Sequence, residues 1–113
     1  MTKEYETSTI VSDSQSILEE AAELVGGPRE ADYGHPAIDF TRTAKFWTEV
    51  LRGRLQPNTE VNAHDVALMM VLLKISRQIN APKRDNLVDA AGYLRTLERV
   101  QDYQAKLLKE LSE

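Results

Sequence analysis

Three proline-bearing breaks set the architecture open to this chain. Gly26-Gly27-Pro28, Pro57-Asn58-Thr59 and Asn80-Ala81-Pro82 cut it into stretches whose apolar residues recur at helical spacing. Glycine and proline at such points end helices. No stretch shows the strict apolar/polar alternation of a half-buried strand, so the pattern predicts an all-α fold.

The first predicted helix takes Ser12 or Asp13 as its cap and runs to Val25, with Ile17, Leu18, Ala21, Leu24 and Val25 along one side. Residues 29–36 form a connector. Pro36 suits the first position of a second helix, where its missing N–H is no loss. That helix carries Phe40, Ala44, Trp47 and Leu51 and ends near Gly53. Asn62 or Asn58 opens the third, with Asp65 in its first turn favouring the dipole. Residues 66–73 are apolar on nearly every side; such a helix must be covered by the rest of the fold or by another subunit. The fourth helix runs from Arg84 to about Leu111. Its expected core stripe is Leu87, Ala91, Leu94, Leu97 and Val100.

The expected molecule is a four-helix, bundle-like single domain over residues 12–113. A flexible arm precedes it over residues 1–11. A more polar extension closes it over about 101–113, with Leu107, Leu108 and Leu111 as an extended helix or dimer arm. Four helices this long in a small domain leave one apolar face too many for a monomer, so a homo-oligomer is expected.

The 113 residues suffice for one domain and carry a formal net charge of −4. Nucleic-acid binding needs a dominant positive field, so that partner is not expected. With no cysteine, thiolate metal sites and disulfides are excluded. The polar N-terminus has no apolar signal core, and the longest apolar run is too short to span a bilayer. The expectation is a soluble cytoplasmic protein with no membrane partner.

The chemistry concentrates in Lys74-Ile75-Ser76-Arg77 and Asp85-Asn86-Leu87-Val88-Asp89. Residues three or four apart share a helix face, so two cations end one helix and two carboxylates open the next. That set suits a nucleotide phosphate, with or without a divalent metal. It equally suits an inter-helix salt-bridge network. Asp89 sits a turn inside its helix, where aspartate is a poor helix former and a buried carboxylate needs a partner. Lys74 or Arg77 is the natural one. Ala90-Ala91-Gly92 beside it lets another helix approach.

Glu20 and Glu23 share a face of the first helix and, with acids from a second helix, are able to hold Mg²⁺. As a solvated acidic face they need no metal. Tyr33-Gly34-His35-Pro36 brings a stackable ring and an imidazole to a helix entrance suited to an anion. The plain alternative is a packed turn capped by His35. His64-Asp65 lacks the further histidines of a metal-dependent phosphohydrolase. Neither a Gly-rich phosphate loop nor a serine nucleophile elbow is present.

From about Glu20 to Leu97 the chain resembles a family of small helical proteins of bacteriophages and prophages. The likeness rests on Tyr33-Gly34, Asp39-Phe40, Ala44, Trp47, residues 65–70, Lys74, Arg77, Asp85, Asp89 and Gly92-Tyr93. It implies kinship, and a place in the host cytoplasm, without an assigned activity. More loosely, the chain resembles the MazG-type all-α nucleoside triphosphate pyrophosphatases. Those are helical oligomers that hold Mg²⁺ on Glu-x-x-Glu and Glu-x-x-Asp. Glu20-x-x-Glu23 matches the first motif. Asp85-x-x-x-Asp89, one residue wider, stands nearest to the second.

That likeness implies a Mg²⁺-dependent hydrolase with a nucleotide as ligand. Glu20, Glu23, Asp85 and Asp89 would hold the metal and orient water. Lys74, Arg77 and Lys83 would neutralise phosphates. Tyr33 or Tyr93 would stack on the base, with His35 and Asn86 as further nucleotide contacts. Two other readings stay open. One is a protein that captures a nucleotide, including a cyclic signalling one, without cleaving it. The other is a structural oligomer whose charges are bridges.

Overall fold

The structure, a computed structural model, describes residues 15–113. It is all-α. Among the described residues the elements are α1 (Ile17–Gly26), α2 (Pro28–Tyr33), α3 (Pro36–Leu51), α4 (Ala63–Asn80) and α5 (Arg84–Ser112). Four are helices of ten residues or more, and α2 is under two turns. The expected arm over 1–11 and the expected caps Ser12 and Asp13 lie outside the described residues.

Local chemistry explains each boundary. Ser16 caps α1, its side chain accepting from the Glu19 N–H at 3.1 Å. Ser16-x-x-Glu19 is the sequence form of a capping box, and it starts the helix later than Ser12 or Asp13 would. The Gly-Gly-Pro break ends α1 as expected, but Pro28 then serves as the first residue of α2. The expected connector is therefore partly helical. Gly34, at φ 80°, closes α2 by donating its N–H to the Glu30 carbonyl at 2.8 Å; that backbone region favours glycine. Pro36 opens α3, as its position predicts.

Asn62, not Asn58, caps α4. Its side chain accepts from the Asp65 N–H at 3.0 Å, and Asp65 accepts in return from the Asn62 N–H at 3.0 Å. Asn58 instead takes a positive φ of 64° in the preceding turn. Thr48 ties that loop to α3 by accepting the Val61 N–H at 2.9 Å. At the α4–α5 turn, Gln78 accepts from the Lys83 N–H at 2.9 Å and from the Asn86 amide at 3.2 Å.

Helix α5 is the spine. Its 29 residues, at about 1.5 Å each, span about 43 Å. It packs most extensively on α4, then on α1, while α3 lies against α4 and α5. The inward face of α5 corrects the expected stripe. Val88, Gly92, Thr96 and Val100 are buried at strict four-residue spacing, whereas Leu87 and Leu94 are exposed. Small residues face inward because α1 comes close: a Cβ built on Gly92 would lie 3.5 Å from the Val25 side chain.

The core is correspondingly thin. Among the described residues, apart from Pro36, the buried apolar side chains are all alanine or valine, including Ala21, Val25, Ala44, Val66, Ala67 and Val100. The molecule measures 50 × 38 × 21 Å. Its short dimension is about two helix diameters, so the helices form two layers. Among the described residues no helix is long and apolar enough to cross a membrane.

Candidate functional site

Where the first half of α5 meets the other helices, the fold leaves a cleft of about 470 Å³. Lys74 lines it from α4 and Asp89 from α5, with Nζ and Oδ2 2.8 Å apart. The two side chains are only 13% and 15% exposed. In a pair so far out of water, desolvation opposes the attraction, and good geometry decides the balance. Lys74 carries three donors, so pairing with Asp89 leaves hydrogen-bonding capacity.

Aromatic rings and a second cation share the cleft. Tyr93 follows Asp89 by one turn of α5, and its ring centre is 6.3 Å from that of Phe40, tilted by 39°. Burial pushes the Tyr93 hydroxyl above the ordinary tyrosine range, with the Lys74 charge opposing and the Asp89 charge adding. It is therefore a neutral donor at physiological pH. Tyr33, more than half exposed, stands at the opening. Arg29 lies one helical turn before it on α2 and is exposed.

A second ion pair braces the wall. Arg99 donates to the Glu30 carboxylate at 2.7 Å and to the Val25 carbonyl at 2.9 Å, tying α5 to the α1–α2 corner. The hydrogen bond from Arg99, and then its charge, hold the Glu30 carboxyl below its ordinary range. His35 caps α3, its Nδ1 accepting from the Ala37 N–H at 3.0 Å, and its ring lies 4.7 Å from that of Tyr103. Burial, then the Arg99 charge, lower its pKa, with Glu30 opposing.

The candidate residues thus divide. Lys74, Asp89, Tyr33 and Tyr93 come together in the cleft. Glu20 pairs instead with Arg84, which also donates to the Gln15 carbonyl at 3.0 Å. Glu23 and Asp85 are exposed. Among the described residues no three His, Cys, Asp or Glu side chains are grouped to hold a metal ion. The four acids expected to share one Mg²⁺ are therefore not gathered within the chain: two are in ion pairs and two face solvent. Arg77 and Lys83 are exposed and outside the cleft lining, His35 is a helix cap, and Asn86 is buried at the α4–α5 turn.

Arg29 and Phe40 line the cleft although the sequence pattern does not mark them as ligand contacts. The four-residue step from Arg29 to Tyr33 carries a signal only once residues 28–33 are known to be helical. Glu20–Arg84 and Glu30–Arg99 join residues far apart in the chain, which local spacing does not reveal.

Residues 16–101 match the family described as Domain of unknown function (DUF6378). The chain is similar to the Gene 55 protein of Mycobacterium phage L5, 41% identical over 87 residues, which cover 76% of this chain and 53% of that protein. It is also similar to the Gene 55 protein of Mycobacterium phage D29, 38% identical over 90 residues, covering 79% and 56%. The chain spans about half the length of the curated relatives it matches. No solved structure matches. These matches bear out kinship with phage proteins and lend no support to the MazG-type likeness.

Proposed function

Because the chain belongs to the DUF6378 family, whose description assigns no activity, the cleft carries the functional reading, and we propose that it binds a nucleotide without cleaving it. The observation behind this reading is the convergence of Lys74 and Arg29 with Tyr33, Tyr93 and Phe40 on one opening, whose three carboxylates are each in an ion pair, Asp89 with Lys74, Glu30 with Arg99 and Asp39 with Arg42. Cations supply charge-assisted hydrogen bonds to phosphate, and aromatic faces stack on a base. The volume is that of an ordinary small-molecule site. Asp89 fixes the Lys74 ammonium in place and serves as a brace. Metal-assisted hydrolysis is the weaker reading, because its four acids lie apart.

The test is calorimetric titration with nucleoside triphosphates and cyclic nucleotides, in Mg²⁺ and in chelator, with chromatography of the ligand afterwards. Binding that survives chelator, returns intact ligand and weakens at least about tenfold in Arg29→Ala, the loss of one charge-assisted contact, supports capture. Arg29 is exposed, so its removal leaves the fold intact. Release of monophosphate and pyrophosphate in Mg²⁺ supports the hydrolase instead. No binding across the panel overturns the nucleotide reading.

A further inference from the structure

The outward side of α4 carries Leu68, Leu72, Ile75 and Ile79, which are 46%, 63%, 46% and 80% exposed. Their steps of four, three and four residues place them in one stripe, the seam spacing of a coiled coil. The opposite side of the helix, with Ala63, Val66 and Ala67, is already buried in the chain. Met69 is also exposed at the flank, and with it the patch reaches on the order of 500 Å² of apolar surface, within the upper range of what monomers leave open. Stable dimers bury about 800 Å² per partner, so this patch with a modest polar rim is enough. Meanwhile no side chain larger than valine is fully buried among the described residues. Many of the large apolar residues are exposed instead, while others such as Phe40 and Trp47 are half-buried.

We propose that this stripe is covered by α4 of a second copy, packed antiparallel across a two-fold axis. The stripe is its own complement. It is symmetric about the point midway between Leu73 and Lys74, so a two-fold there sets Leu68 against Ile79 of the second copy and Leu72 against Ile75. The charges agree with that direction. Asp65 lies in the first turn of α4 with Glu60 just before it, and Lys83 lies just beyond its end. Antiparallel pairing brings the acidic end of each copy to the basic end of the other, and it opposes the two helix dipoles. Parallel pairing would set like charges together at both ends.

Sedimentation of the full chain tests the pairing, and its lack of cysteine permits a second, directional test. The wild type is expected at twice the mass of one chain, and Leu72→Glu with Ile75→Glu at the mass of one chain with unchanged helical circular dichroism. Under oxidation, a mixture of Leu68→Cys chains and Ile79→Cys chains forms the mixed disulfide dimer, while neither alone does so efficiently. The cysteine pair needs no disruptive charge, so it decides the matter even where the double glutamate variant fails to fold. A monomeric wild type overturns the proposal, including one whose stripe is covered by residues 1–14 of its own chain. So does a dimer that survives the two glutamates. Cross-linking of Leu68→Cys alone in preference to the mixture means parallel pairing and overturns it too.

Discussion

His35 shows how one side chain couples pH to the fold. Its Nδ1 must be unprotonated to accept the Ala37 N–H, and burial, reinforced by Arg99, keeps it so by lowering its pKa. Between the ordinary histidine value and the lower folded one, the unfolded chain binds more protons than the folded chain. Stability therefore rises with pH across that window, and the contribution is lost as pH falls through it. Loss of a helix cap is about 1 kcal/mol, or about 4–8 °C in a domain of this size. The melting temperature should fall by that order on acidification below about pH 6.5. His35→Asn, which keeps an acceptor that does not titrate, should flatten the profile over that range. An equal slope in the variant would assign the dependence to another group; Glu30 enters only lower, because Arg99 lowers its pKa. At this scale the sequence is partly readable. Lys74 and Asp89 stand out because an aspartate within a helix and a lysine after eight apolar residues each need a partner, and they are each other's. Glu20 is in an ion pair with Arg84, a partner too remote in sequence for local spacing to reveal. An acid pair one turn apart looks the same whether it faces a metal, a guanidinium or water.

At the scale of elements, the breaks and caps are legible and the orientation of α5 is not. Gly26, Pro36 and Asn62 act through their own backbone and neighbours, so their roles can be read locally. Which side of α5 turns inward depends on how closely α1 and α4 approach. A search for the largest apolar residues selects Leu87 and Leu94, whereas close helix packing selects Val88, Gly92 and Thr96. Gly92 makes this quantitative. Its added Cβ would meet Val25 at 3.5 Å, an ordinary contact distance, and a glycine inside a helix is less favourable than alanine by about 0.8–1.0 kcal/mol. Gly92→Ala should therefore raise stability by about 0.5–1 kcal/mol in denaturant unfolding, with no change in the slope. A destabilised Gly92→Ala would mean that α1 sits closer to α5 than Val25 allows. Larger residues at this position would fill the cleft that Gly92 lines.

For the molecule as a whole, α4 and the end of α5 present different kinds of exposed leucine. The stripe on α4 lies on a helix already fixed by its inner face. The last turns of α5 have no such support. Packing along α5 continues as far as the His35–Tyr103 ring contact and the His64–Gln104 hydrogen bond at 2.8 Å. Beyond them Leu107, Leu108 and Leu111 are exposed. Short helical turns without tertiary contacts are marginal in water, so these turns add little to the stability of the chain. The two surfaces therefore make separable predictions about the expected oligomer. Ending the chain after Lys106 should shift the melting temperature by no more than about 2 °C, a few tenths of a kcal/mol. It should leave both the ligand affinity and the number of chains per particle unchanged. If association were carried by the tail as a dimer arm, the same truncation would give monomers and the substitutions on α4 would not. Sedimentation of the truncated chain beside Leu72→Glu with Ile75→Glu separates the two, because each surface predicts association in the variant for which the other predicts its loss.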